Sequence, residues 1–223
     1  MLESAELERG VAEVRKRIRA ACDRARRRPE EVRIIGVTKT VPPGLVRLAA
    51  DAGLTEFGEN YVQDLGAKKE AAPDGTWHFI GRLQRNKVAR VLDLADVVQT
   101  LEPGAAGDKL ANLADERKER AVCLVEVDFT GRRVGVAPHE AEAFVDRLSR
   151  RPGVECRGLM TVAPPAEDPR PSFRALRELR DRLLAGYPGL TELSMGMSED
   201  LEAAVEEGAT MVRVGSAIFG PRL

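Results

Sequence analysis

Four places in the sequence carry residues whose type and spacing suit chemistry on an aldehyde that also bears an anion. The first is Lys39, in Thr38-Lys39-Thr40, directly after the β-branched run VRIIGVT. A lysine attacks a carbonyl only when its amine is neutral, and its free value lies near ~10.4, so burial or neighbouring cations must lower it. An aldehyde ligand would then be trapped as an imine. A solvated lysine at a strand end is the competing reading. The second and third places are the turns Gly196-Met197-Ser198 and Gly215-Ser216. Glycines let backbone N–H groups approach a phosphate and the serine hydroxyls add donors. Against this stand ordinary turn and capping chemistry, and the acidic Glu199 and Asp200 beside Ser198. The fourth is Arg213, which by strand alternation shares a face with Gly215, opposite Val212 and Val214. A guanidinium facing inward needs an acceptor. The ring nitrogen of a bound cofactor and an inward carboxylate such as Glu59 are both open at this point.

These residues can meet only if the elements carrying them converge. Eight β-branched runs are predicted as strands: 32–38, 56–59, 77–81, 96–101, 122–129, 154–162, 192–196 and 211–217. Several, such as VCLVEV, are nearly continuous in apolar residues, which is how strands covered on both faces read. Helical patterns separate them. In Ser172–Leu184 the spacing of Phe173, Leu176, Leu179 and Leu183 makes one apolar stripe. Ser198 is a candidate N-cap for the helix that follows, with Gly208 as its stop. An extra helix, roughly Ser4 to Arg26, precedes the first strand. Its apolar face of Leu7, Val11, Val14, Ile18 and Cys22 could cover the amino-terminal end of a barrel.

Eightfold strand–helix alternation without a linker or low-complexity tract predicts a single α/β domain over residues 1–223. The expected form is a (β/α)8 TIM-type barrel with an extra N-terminal helix. An open doubly wound sheet is the rival, and the absence of GxGxxG after the first strand weakens its dinucleotide-binding version. Barrel sites form at the carboxyl ends of strands, and the loops after strands seven and eight often bind phosphate. All four places lie at such ends.

Composition narrows the function classes. The 223 residues are 43% hydrophobic but only 4% aromatic, so the core must be mostly Val, Leu, Ile and Ala. Charged residues make up 32% yet cancel to a net −1, a balance that gathers neither nucleic acid nor acidic lipid. The basic run Arg24, Arg26, Arg27, Arg28 is read as a solvated helix end. Cys22, Cys123 and Cys156 are scattered, without CxxC or Cys/His ligand spacing, which suits a reducing compartment and no metal. The start MLESAELERG has no signal-like apolar stretch, and no segment approaches a membrane span, so a cytoplasmic protein is expected. The two histidines give no catalytic set: His78 reads as a core residue inside strand three and His139 as exposed.

The segments IGVTKTVP, FGENYVQD, WHFIGRLQRNK, GLMTVAP and LSMGMSEDLEAAVEEGATMVRVGSAIFG resemble the pyridoxal phosphate homeostasis proteins, also called proline synthase co-transcribed homologues. The resemblance runs from about residue 30 to the end, and its last block is the most specific. It implies a barrel like the amino-terminal domain of alanine racemase, with pyridoxal 5′-phosphate as cofactor. It makes Lys39 the imine (Schiff base) lysine, Ser198, Gly215 and Ser216 phosphate contacts, and Arg213 the partner of the pyridine nitrogen. Asn60 and Met195 would line the cofactor, and His78 is carried over with them. One region departs: after strand five the family usually has an asparagine and a longer loop with a Lys-Ser-Gly-like end. Here the loop is shorter and Asp128 takes the asparagine's place, so no contact is carried over there.

The resemblance implies a role in vitamin B6 and amino-acid homeostasis, carrying or buffering the cofactor, with pyridoxal phosphate-requiring apo-enzymes as candidate recipients. Physics leans the same way. The pyridine ring is the stronger electron sink when its nitrogen is protonated, and an always-charged arginine cannot supply that proton. No catalytic residue is assigned. The alternative is a small amino-acid racemase, which would need a second acid–base group opposite Lys39, His78 or Tyr61 being the candidates. A monomer is expected, since no long exposed apolar stripe is visible.

Overall fold

In the computed structural model, which describes residues 4–131, 133–164 and 167–220, eight parallel strands close into a barrel in sequence order. They are β1 (Arg33–Val37), β2 (Glu56–Glu59), β3 (Thr76–Phe79), β4 (Val97–Leu101), β5 (Ala121–Glu126), β6 (Val154–Met160), β7 (Glu192–Ser194) and β8 (Met211–Val214). Closure pairs Arg33 with Met211 and Gly36 with Val214. The open-sheet rival is thereby excluded. The helices are α1 (Ser4–Ala25), α2 (Pro43–Asp51), α3 (Val62–Ala71), α4 (Val88–Leu94), α5 (Ala105–Arg117), α6 (Ala141–Ser149), α7 (Arg170–Leu183), α8 (Leu201–Glu206) and α9 (Ser216–Phe219). None of them is long and apolar enough to cross a membrane.

Strand alternation divides the side chains into two sets. One set points outward into a continuous apolar layer under the helices, where Phe57 stacks on Trp77 with ring centroids 5.0 Å apart. The other fills the lumen. There Ile35, Leu124, Met160 and Met211 form a small apolar plug. Beside it stands a buried polar set that includes His78, Gln99, Ser194 and Arg213. Arg213 faces inward and Val212 and Val214 outward, as alternation requires.

The leading helix lies elsewhere than expected. The apolar face of α1 is buried throughout, but it packs lengthwise on α8, α9 and α2, along the barrel wall. Arg17 Nε meets Glu202 Oε1 at 2.6 Å near the start of α8, and Arg24 Nε meets Glu206 Oε1 at 2.7 Å at its end. The two helices therefore run side by side. The physical reason is that the helix after β8 has four residues, too few to cover the strands beneath it, and α1 supplies the missing cover. The basic run is corrected at one residue: Arg24, Arg26 and Arg28 are exposed, as expected of a solvated helix end, but Arg27 is half-buried. Arg27 donates from Nη1 to the Val205 carbonyl at 2.6 Å and from Nη2 to the Ala209 carbonyl at 2.8 Å, so it serves the carboxyl end of α8.

Several boundaries move as well, most of the strands ending two or three residues early. The run to residue 217 stops as a strand at Val214, because Ser216 opens α9. The apolar stripe of Phe173, Leu176, Leu179 and Leu183 is buried as expected, on a helix that begins at Arg170 and not at Ser172. Residues 1–3, 132, 165, 166 and 221–223 lie outside the described residues.

Candidate functional site

The carboxyl-terminal mouth of the barrel opens into a cavity of about 1410 Å³. Six of the eight residues singled out from the sequence line it: Lys39, Asn60, Ser198, Arg213, Gly215 and Ser216. They come from four separate strand ends, and closing the barrel brings them together. His78 and Met195 do not line it. His78 is fully buried in the lumen, where its ring contacts Glu56 and Gln99. Met195 is fully buried in the layer between barrel and helices, because its backbone follows β7 with the outward-pointing parity.

Lys39 stands in the turn after β1 and is half-buried. The turn is held from below. Thr38 is buried; its hydroxyl donates to Glu59 Oε2 at 2.8 Å, and its carbonyl accepts from Lys68 Nζ at 2.7 Å. Thr40 closes the turn in a left-handed conformation, φ 64°, unusual for a β-branched residue. Glu59 also accepts the backbone N–H groups of Asn60 (2.8 Å) and Tyr61 (3.0 Å) at Oε1. One carboxylate thus ties the loop that carries Lys39 to the loop that carries Asn60. Glu59 lies outside the lumen, paired with Lys68, so it is not the partner of Arg213. Gly81 lets the Asn60 backbone approach: a Cβ there would stand 2.0 Å from the Asn60 carbonyl oxygen.

The glycine–serine rim expected to hold an anion differs from expectation in one respect. Ser198 is not the N-cap of α8. Asp200 occupies that place and accepts the Met197 N–H at 2.5 Å. The Ser198 hydroxyl instead accepts from Ala217 N at 3.4 Å, which stitches the turn after β7 to the turn after β8. Gly196, with φ 91°, makes the turn possible, since a Cβ would lie 2.4 Å from the Ala204 Cβ. Asp200 is half-buried, and burial pushes its carboxyl up, with the Met197 N–H and the Arg213 charge pulling the other way.

Arg213 stands at the floor of the cavity. Nη1 donates to Ser194 Oγ at 2.7 Å and Nη2 to the Thr161 carbonyl at 2.8 Å. Burial pushes the guanidinium down to about 10, with Glu126 and Asp200 opposing, so it is charged at neutral pH. Glu126 is a site residue not singled out from the sequence. It sits 8% exposed at the end of β5 and lines the cavity. Burial pushes its carboxyl up to about 7, against the pull of Arg133 and Arg213. Its signal was present as a charge inside the apolar run VCLVEV. Asp128, by contrast, does not line the cavity. It accepts from Thr130 N and Oγ1 and from Arg133 N, and so folds its own loop. Burial pushes this carboxyl up, but those hydrogen bonds outweigh it and hold it low.

The arrangement suits a small aromatic aldehyde carrying a phosphate: an amine on one wall, a glycine–serine rim on another, and a charged donor at the floor. Among the described residues there is no His/Cys/Asp/Glu group that could hold a metal ion.

Comparison with known proteins agrees. The sequence matches the family described as alanine racemase, N-terminal domain, over residues 11–222. A pyridoxal phosphate homeostasis protein of Aquifex aeolicus is 41% identical over 95% of this chain and 96% of that protein. The protein of the same name from Pseudomonas aeruginosa is 39% identical over 95% and 94%. PipY of Synechococcus elongatus PCC7942, solved with PLP bound, superposes with a TM-score of 0.85 at 33% identity, covering 96% of this chain and all of that one (100%). An alanine racemase of Clostridium difficile 630 shares the fold, with a TM-score of 0.79 at 14% identity, and this chain spans 56% of it. By family match and by relatives along nearly its whole length, the chain belongs to the alanine racemase N-terminal-domain family and, within it, to the pyridoxal phosphate homeostasis proteins.

Proposed function

We propose that this protein binds pyridoxal 5′-phosphate at the carboxyl-terminal mouth of the barrel and carries and buffers it, in the service of vitamin B6 and amino-acid homeostasis. The observation that carries the reading is that Lys39, Arg213 and the Ser198–Ser216 rim line one cavity. Lys39 would take the aldehyde covalently, Ser198, Gly215 and Ser216 would hold the phosphate, and Arg213 would face the ring nitrogen. The residues fit the group: the side-chain oxygen of Asn60, Oδ1, is buried at the cavity without a protein hydrogen-bond partner, a polar atom awaiting a ligand.

The cofactor, when bound, supplies an electrophilic carbon and an electron sink whose strength depends on protonation of its ring nitrogen. Arg213 can only donate and stays charged, which keeps that nitrogen unprotonated and the sink weak. A carrier needs capture and release and no strong sink. We place the carrier in the cytoplasm as a monomeric single domain over residues 1–223, handing the cofactor to apo-enzymes that require it.

Borohydride reduction of protein loaded with pyridoxal 5′-phosphate, followed by peptide mass mapping, tests the assignment. A pyridoxyl group on Lys39, absent in Lys39→Ala, is expected. Its appearance on Lys68 or Lys87 with Lys39 unmodified would overturn it.

The racemase reading loses both of its first candidates, since neither His78 nor Tyr61 lines the cavity. Glu126 does line it and is held near 7, so it is the group such an activity would use. Sustained turnover at about 1–10³ per second that falls in Glu126→Gln would favour this reading over the carrier.

A further inference from the structure

Beneath Arg213 a single column of hydrogen bonds runs down the lumen. Arg213 Nη1 lies 2.7 Å from Ser194 Oγ, Ser194 Oγ lies 2.7 Å from Gln99 Oε1, Gln99 Nε2 lies 2.9 Å from His78 Nδ1, and His78 Nε2 lies 2.9 Å from Glu56 Oε2. Each side chain except Glu56 is 5% exposed or less, so water cannot substitute for a missing partner.

Donor and acceptor chemistry gives the column one direction. A guanidinium has no acceptor, so Ser194 Oγ must accept from it. The serine proton goes to the Gln99 carbonyl oxygen, which faces it, and the amide nitrogen faces His78. Amide N–H meeting Nδ1 requires that Nδ1 be bare. The remaining ring proton sits on Nε2 and is donated to the Glu56 carboxylate, which Arg33 also approaches, at 3.5 Å. Every donor points away from the cavity. Turning the Gln99 amide over would place its oxygen against Nδ1 and demand a second proton on the ring.

We infer that Gln99, His78 and Glu56 are positioning residues: through Ser194 they hold the Arg213 guanidinium in one orientation at the cavity floor, with His78 neutral and protonated on Nε2. His78 thereby takes a role distinct from cofactor contact. Ser194 has one proton, and because Gln99 accepts it, the serine lone pair stays aimed at Nη1. Together with the Thr161 carbonyl on Nη2, this fixes the guanidinium plane. The effect on ligand binding rests on the cofactor reading above; the hydrogen-bond direction does not.

Two measurements keep these apart. The protein has only two histidines, so nitrogen-15 NMR of the imidazoles in ligand-free protein assigns His78 against His139 readily. A neutral ring protonated on Nε2 is expected in the native sequence. In Gln99→Glu, a carboxylate against Nδ1 is expected to convert the ring to imidazolium, which a purely space-filling role would not do. A neutral His78 protonated on Nδ1, or no change in Gln99→Glu, would overturn the column. The second measurement is titration with pyridoxal 5′-phosphate, followed by its absorption. Gln99→Leu and Ser194→Ala are expected to weaken binding by roughly tenfold and to shift the bound band, the effect of about one lost hydrogen bond to a charged group. Ser194→Thr, which keeps the hydroxyl, is expected to stay near the native affinity. Native affinity and band in both Gln99→Leu and Ser194→Ala would overturn the positioning role. Absence of any band in the native protein would instead sink the cofactor reading and with it the effect on binding, while the NMR result still decides the column.

Discussion

Lys68 Nζ donates to the carbonyl oxygen of Thr38 at 2.7 Å, one peptide before Lys39, while paired with Glu59. Both side chains are almost wholly buried, at 4% and 0% exposure. Buried ion pairs cost desolvation that their attraction barely repays, so such a pair marks specificity of geometry more than stability. Here the geometry is that of the two turns carrying Lys39 and Asn60.

Removing one partner leaves a buried charge alone. Lys68→Met is expected to lower stability by about 3–5 kcal/mol. Lys68→Met combined with Glu59→Gln keeps acceptors for Asn60 N and Tyr61 N and should recover more than half of that loss. The double variant is still expected to form less Lys39 adduct, because Thr38 has lost the bond that holds its peptide. Urea unfolding of the four-member cycle, with borohydride trapping, checks both parts.

Glu126 gives the fold a pH signature. Its folded value near 7 lies above the ordinary 4.5, so the fold favours the neutral acid. The associated stability is fully present below about pH 4.5 and is lost as pH rises through 7. Glu126→Gln has no such proton to lose. It should match the native protein near pH 4 and exceed it at pH 8 by up to roughly 3 kcal/mol, at about 1.4 kcal/mol per pH unit. Equal stability of the two at pH 8 would show that Arg133 and Arg213 compensate the charge fully.

The turn after β7 tolerates no side chain at its glycine. Gly196→Ala is expected to cost more than about 1 kcal/mol, from strain at positive φ and overlap with Ala204. Phosphate affinity should fall with it, read by competition of inorganic phosphate with the cofactor, because Ser198 would leave the Ala217 N–H.

If α1 is a piece of the barrel wall, its core contacts should weigh as heavily as those of any helix in the ring. Ile18 is 3% exposed within the main apolar layer. Ile18→Ala should cost about 2–5 kcal/mol in a single cooperative unfolding transition. A loss below about 1 kcal/mol, or a separate early transition for α1, would mean that the helix is an accessory.

The barrel and the strand-end positions of Lys39, Asn60, Ser198 and Arg213 were legible because they depend on local periodicity. Near-continuous apolar strands alternating with amphipathic helices say how each segment is covered, and parity along β8 says that Arg213 shares a face with Gly215. That the Ser198 and Ser216 turns stand at one mouth was legible because both follow successive strands of one barrel. What lay beyond the sequence were relations between side chains far apart in it. Glu59 and Arg213 looked like partners as long as both were counted as inward, and only the register of β2 turned Glu59 toward Lys68. His78 and Gln99 were ordinary strand residues until closure set β3 and β4 across the lumen from β7 and β8. The place of α1 followed from the shortness of α9, which the run of β-branched residues to position 217 concealed. Periodicity is a property of one segment and survives reading along the chain. A hydrogen-bond partner or a buried charge is decided by which segments share a lumen, and only the closed tertiary structure settles that.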